Sequence, residues 1–155
     1  MLSKILVAFD GSECSNRALD FALDLAEKYS ASILVLNVLQ NQFLGYTADS
    51  YDRVQTTVSF PPTIGSVAVD FHKFHEGILV KASEKAAKEK PRVKVETLLK
   101  EGNPTEVIVD TAKSGGYDII VLGHSGAGRL KEALYLGGTS ERVAHSACCP
   151  VLIVR

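Results

Sequence analysis

Five short apolar runs punctuate the chain, and segments of helical periodicity separate them. This alternation constrains the fold more than any other feature. The runs are ILVAF (5–9), SILVLNV (32–38), VKVETLLKEG (93–102), YDIIVL (117–122) and PVLIVR (150–155). Consecutive apolar residues leave a strand no polar face, so such runs predict strands covered on both sides. The order β-α-β-α-β-α-β-α-β predicts an α/β fold, a parallel sheet with helices on both faces. Right-handed crossovers leave few topologies. Val93, Val95 and Thr97 alternate within the third run, which suggests a strand with one face partly open, at a sheet edge.

The helical segments carry their own punctuation. Ser12 is placed to cap a helix over 13–29, whose inner stripe is predicted as Ala18, Phe21, Ala22, Leu25 and Tyr29. A second helix is expected from near Val67 to Glu89, with Phe71, Phe74, Ile78, Ala82, Lys85 and Ala86 facing inward and Pro91 ending it. Asn103-Pro104-Thr105-Glu106 is a helix start: Asn103 caps, Pro104 suits the first position, and Glu106 can complete a capping box. That helix ends at Ser114-Gly115-Gly116, and a last one is expected over Ser140–Ala147. Between 39 and 67 no period is legible and Pro61-Pro62 interrupts any helix, so a long functional or mobile loop is expected there.

Bulk properties narrow the functional classes. The 155 residues suffice for one domain over 1–155, and 46% hydrophobic with 23% charged is the balance of a globular protein. A net charge of −1 argues against a nucleic-acid or anionic-membrane partner. No apolar run approaches the roughly 20 residues of a membrane span, and MLSKILVAFDGS is too short in its apolar part for a signal peptide, so a cytoplasmic protein is expected. The three cysteines lack CxxC spacing; they read as buried thiols without a redox role, since adjacent Cys148 and Cys149 are poorly placed to pair. The four histidines read as surface or satisfied groups, and no set of residues has convincing metal-ligand spacing.

Two loops carry unusual chemistry. In an open doubly wound sheet, ligands bind beyond the carboxyl ends of the strands, where strand order reverses. Asp10-Gly11-Ser12 follows the first run, and GHSGAGRLKEALYLGGTSER (123–142) follows the fourth. Glycines let backbone N–H groups approach phosphate oxygens, and a helix beginning at Gly138-Thr139-Ser140 adds its free N–H groups and dipole. Thr139 and Ser140 offer hydroxyls, with Arg129 and Lys131 nearby in sequence. The same features also suit a plain turn and an N-cap. Asp10 can accept from an adenine amino group, touch a ribose, hold Mg²⁺, or simply bond its own turn. Neither GxxxxGK[ST] nor a GxGxxG opening a helix after the first strand is present, which excludes a P-loop NTPase and an ordinary dinucleotide binder.

Three blocks, ILVAFDGSECSNRALDFALDLA, VETLLKEGNPTEVIVDTAKSGGYDIIVLG and GHSGAGRLKEALYLGGTSERVAHSACCPVLIVR, resemble the universal stress protein family in order and spacing. The resemblance implies a single doubly wound five-stranded sheet in order 3-2-1-4-5 and a homodimer through the last strand, Val151–Arg155. Nucleotide-binding members carry GxxG, nine residues, then Gly with Ser or Thr. Gly123-His124-Ser125-Gly126 supplies the first half; ten residues, Ala127–Leu136, then precede Gly137-Gly138, or eleven precede Gly138-Thr139. The extra residue is placed within Ala133–Leu136. By position, the family's contacts fall on Asp10 at the adenosine end and on the backbone of Val38 and Ala8 at the adenine. Gly123, Gly126 and Gly128 fall at the ribose and phosphates, and Gly137, Gly138, Thr139 and Ser140 close over them.

The implied function is ATP-binding stress regulation, with ATP, or ADP or AMP, acting as a conformational ligand together with Mg²⁺. HIGH-type and SGGxDS-type motifs are absent, so an adenylyl transferase or slow ATPase stands behind it, as does a nucleotide-free dimeric adaptor. A phosphoreceiver is rejected: Asp10 stands alone after the first strand and Gly102-Asn103 ends the third.

Overall fold

Ile5, Leu6 and Val7 are wholly buried, which requires cover on both faces of the strand that carries them. The computed structural model describes residues 1–40, 64–124 and 138–155. Within them the elements run β1 (Lys4–Ala8), α1 (Glu13–Tyr29), β2 (Ser32–Leu39), α2 (Ile64–Glu89), β3 (Val95–Glu101), α3 (Pro104–Gly115), β4 (Ile119–Gly123), α4 (Gly138–Ser146) and β5 (Val151–Val154). The strands form one five-stranded sheet, all parallel, in the expected order β3-β2-β1-β4-β5. Successive residues point to opposite faces, so each strand feeds two cores. Ile5, Val7, Phe9, Ile33, Val35 and Val121 pack with α1 and α2, whereas Leu6, Leu34, Leu36, Ile120 and Leu122 pack with α3 and α4. Each fully buried large aliphatic contributes about 1.5–3 kcal/mol.

The caps follow the sequence. Ser12 Oγ accepts from the Ser15 N–H at 3.2 Å. Asn103 Oδ1 accepts from the Thr105 and Glu106 N–H groups at 3.0 and 3.4 Å, with Pro104 in the first turn. β3 lies at an edge of the sheet, as its alternation suggests.

The helix faces depart from expectation. The buried side of α1 is Ser15, Ala18, Leu19, Ala22, Leu23 and Ala26, while Phe21 is 46% exposed and half of Tyr29 is open to solvent. Alanines at 18, 22 and 26 let the helix lie close to the sheet, and Leu19 and Leu23 fill the flanks; an aromatic ring has no room there. Among the described side chains of α2 the buried ones are Leu79, Ala82 and Ala86, and Phe74 is 65% exposed. Lys85 is half-buried and forms an ion pair with Asp20 on α1. Lys90 pairs with Asp24 at 3.1 Å and Glu27 at 2.5 Å, and these carboxylates raise its pKa. α2 begins at Ile64, three residues before the expected start at Val67. The poor helix formers Gly65 and Ser66 in its first turn obscure that start. Leu39 closes β2, and residues 41–63 of the expected loop lie outside the described residues, as does the side chain of Phe71.

The amino ends of β1 and β4 are tied by one carboxylate. Asp118 Oδ2 accepts from the Ser3 N–H (2.7 Å), the Lys4 N–H (2.8 Å) and the Ser3 hydroxyl (2.9 Å). These donors hold its carboxyl below the usual range. At the other end, α1 lies directly against β4: a Cβ on Gly123 would stand 2.7 Å from the Cys14 carbonyl carbon and 2.9 Å from the Ser15 nitrogen. The cysteines are not the buried thiols expected: Cys148 is exposed, and Cys14 and Cys149 are half-buried. Cys148 and Cys149 border β5, whose residues are themselves only half-buried. Partial burial pushes the Cys149 thiol up, away from thiolate reactivity.

Three outcomes test this packing. Leu23→Ala will cost about 2–5 kcal/mol in denaturant unfolding, while Phe21→Ala will cost less than about 1 kcal/mol. Gly123→Ala will destabilise by about 1–3 kcal/mol whether or not ligand is present, through overpacking against α1. Because Asp118 titrates lower in the folded chain than unfolded, its stabilisation is present above about pH 4 and is lost as pH falls toward the folded value. Asp118→Asn will therefore lower the melting temperature at neutral pH and flatten the acid limb of the stability profile.

Candidate functional site

The chain runs from β1 outward to β2 and β3, then crosses to the other side of β1 for β4 and β5. The reversal lies between β1 and β4. Ala8 is level with Leu122 in the ladder, so Phe9-Asp10 and Gly123-His124 leave the sheet side by side. The turn after β1 and the described ends of the second loop, Gly123-His124 and Gly138–Ser140, therefore meet at the switch point, the place where such sheets bind ligands.

One wall is the turn after β1. The Ser12 N–H donates to Asp10 Oδ1 at 2.9 Å, so Asp10 does bond its own turn. Gly11 adopts φ +81°, and a Cβ there would meet Ile78 of α2 at 3.2 Å. Both the positive φ and the nearby helix favour glycine at this point.

The opposite wall is the end of β4 with the start of α4. Ser140 is 5% exposed, and its hydroxyl donates to the Gly123 carbonyl at 2.8 Å. This bond pins the first turn of α4 to β4. α4 starts at Gly138, earlier than the expected Ser140, so the first-turn N–H groups of Gly138, Thr139 and Ser140 have no partner within the helix. Such groups, with the helix dipole, favour an anion. Gly138 is exposed and Thr139 half-buried. The packing of Gly123 on α1 gives that glycine a structural reason independent of any ligand.

His124 departs from its reading as a surface or satisfied group. Its backbone N–H donates to the Val154 carbonyl at 2.8 Å, its side chain is buried (8% exposed), and Nε2 has no hydrogen-bond partner. A buried polar atom left unpaired is costly and marks a place to look for a ligand or water.

Val38 stands half-buried at the end of β2, opposite Lys100 of β3, and Ala8 stands half-buried at the end of β1. Beside Val38 on β2 stands a residue the sequence reading passed over. Asn37 is 1% exposed; its Nδ2 donates to the Phe9 carbonyl at 2.6 Å, and its Oδ1 lies 2.7 Å from His75 Nδ1. Burial, then the neighbouring His72, lower the His75 pKa, which favours the neutral ring. The signal was available: one amide interrupts an otherwise apolar strand. His72 faces Glu76 at 3.3 Å and His145 is exposed, as surface histidines should be.

Gly126, Gly128, Arg129 and Gly137 lie outside the described residues. Among the described residues no group of three or more His, Cys, Asp or Glu could hold a metal ion, and no helix is long and apolar enough to cross a membrane. The Asp10 turn, the first-turn N–H groups of α4 and the His124 imidazole nitrogen are the polar groups described at this end of the sheet.

Comparison with known proteins agrees with this architecture. The profile of the universal stress protein family matches residues 1–155. Universal stress protein YxiE of Bacillus subtilis is 37% identical over 100% of both chains. A universal stress protein solved in complex with cAMP superposes with a TM-score of 0.63 at 24% identity, over 99% of this chain and 97% of that one. The Archaeoglobus fulgidus universal stress protein in complex with dAMP superposes with a TM-score of 0.64 at 19% identity, over 100% of this chain and 98% of that one. With the strand order, the switch-point loops and a full-length match in agreement, this chain belongs to the universal stress protein family.

Proposed function

We propose that this family member is a regulatory protein that binds an adenine nucleotide, ATP foremost, in the crevice between β1 and β4. The observation that carries the reading is the convergence of an acceptor turn (Asp10) and a pinned helix start (Gly138-Thr139-Ser140) on one end of the sheet, across a strand pair in register. Asp10 would take the adenosine end and Mg²⁺ beside the phosphates, with backbone groups of Ala8 and Val38 at the base. Gly123, Gly126, Gly128 and Arg129 would line the ribose and phosphates, and Gly137, Gly138, Thr139 and Ser140 would close over them. Two structural neighbours hold cAMP and dAMP, which supports the capacity of this fold for adenine nucleotides.

The nucleotide would act as a conformational ligand, stabilising whichever state it binds better, with slow hydrolysis or none. β5 is an edge strand of half-buried apolar residues, which supports a homodimer through Val151–Arg155. A nucleotide-free adaptor is the second reading. It is favoured by the commitment of the Ser140 hydroxyl to Gly123 and by the extra residue between the motif's glycines.

Mass spectrometry of nucleotide retained through purification, followed by calorimetric titration with ATP and Mg²⁺, separates the two. The expected result is binding that weakens by about tenfold or more, about 1.4 kcal/mol, in Asp10→Ala and in Gly126→Val. Absence of binding at about 1 mM ATP would transfer the chain to the adaptor reading.

A further inference from the structure

The run SILVLNV is apolar on both sides of position 37, yet it carries a buried amide there. Burying an amide is unfavourable unless its hydrogen bonds are made, and Asn37 makes them in a particular direction. The Phe9 carbonyl can only accept, so the group facing it at 2.6 Å is the Asn37 NH₂. That leaves Oδ1 toward His75 at 2.7 Å, so His75 Nδ1 carries the proton and donates. In the neutral ring Nε2 then holds the lone pair.

β1 closes at Ala8, and Phe9 follows with only its N–H in a ladder-like bond, to the Leu36 carbonyl at 2.9 Å. Asn37 grips the other side of the Phe9 residue through its carbonyl. Both polar backbone groups of the residue before Asp10 are therefore fixed to β2. α2 secures the arrangement twice, through His75 on Asn37 and through Ile78 beneath Gly11.

We infer that Asn37 and His75 are positioning residues for the adenosine side of the crevice: through the Phe9 carbonyl they set the direction in which Asp10 is delivered, without touching the nucleotide. This rests on the adenine-nucleotide reading above. It also gives α2 a mechanical link to the ligand, because α2 orients Asn37 through His75 and Asn37 holds the Phe9 carbonyl before Asp10.

The test titrates AMP, ADP and ATP into wild type, Asn37→Leu, His75→Leu and His75→Gln. Melting curves and the backbone amide NMR signals of Gly11 and Gly116 are recorded alongside. Asn37→Leu is expected to weaken all three nucleotides by the same factor, about tenfold, the worth of one lost hydrogen bond. It should shift the Gly11 amide signal without ligand while leaving Gly116, at the far end of the sheet, unmoved. His75→Leu should weaken binding by roughly threefold and His75→Gln, which can still donate to Asn37, should restore it. Unchanged affinity in a folded Asn37→Leu, or a loss that varies with phosphate number, overturns the inference and leaves the nucleotide reading standing. Where Asn37→Leu does not fold, equal affinities of His75→Leu and His75→Gln overturn it. A wild type that binds none of the three overturns the nucleotide reading and this inference with it.

Discussion

Everything in this molecule depends on covering β1 on both faces. Its Ile5, Leu6 and Val7 have no exposed surface, and its neighbours β2 and β4 are parallel to it. Parallel neighbours demand crossover connections, which place α1 and α2 on one face and α3 and α4 on the other. The chain cannot cover both faces without reversing direction at β1. The crevice follows from that reversal, so the candidate site is a consequence of burying the central strand.

The two ends of the sheet use polar groups differently. At the amino ends, Asp118 gathers donors from the start of β1, and every one of those contacts is internal. At the carboxyl ends, the polar groups are partly committed: Ser140 pins α4, Asn37 holds the Phe9 carbonyl, and His124 Nε2 has no partner. The commitments at the carboxyl end matter as much as the vacancy of the imidazole, because they fix backbone positions before any ligand arrives.

Strand existence, sheet class and helix caps were legible because each depends on residues adjacent in sequence. ILVAF states its burial by itself, and Ser12 and Asn103 cap groups two or three residues away. The helix faces were harder. Hydrophobicity favoured Phe21 and Phe74, whereas close packing on the sheet favoured alanines, and shape prevailed over hydrophobicity. Asn37 and His75 are 38 positions apart, and no local pattern pairs them. Gly123 shows the opposite failure: it was read for its motif, and its clearest constraint is the body of α1 behind it. The burial of His124 was illegible for a related reason, since it depends on how β4, β5 and α4 come together.

The pin at Ser140 bears on a place where this sequence departs from the nucleotide-binding pattern that its resemblance to the family implies. The extra residue that the resemblance implies falls between Gly126 and Gly137, within the stretch spanned by the bond from Ser140 to the Gly123 carbonyl. That bond fixes the start of α4 to the end of β4 across 17 positions of sequence, whatever the length of chain between them. Lengthening a connection between two fixed ends costs little, since closure entropy grows only with the logarithm of length. The first-turn N–H groups of Gly138 and Thr139 are thereby held beside the end of β4.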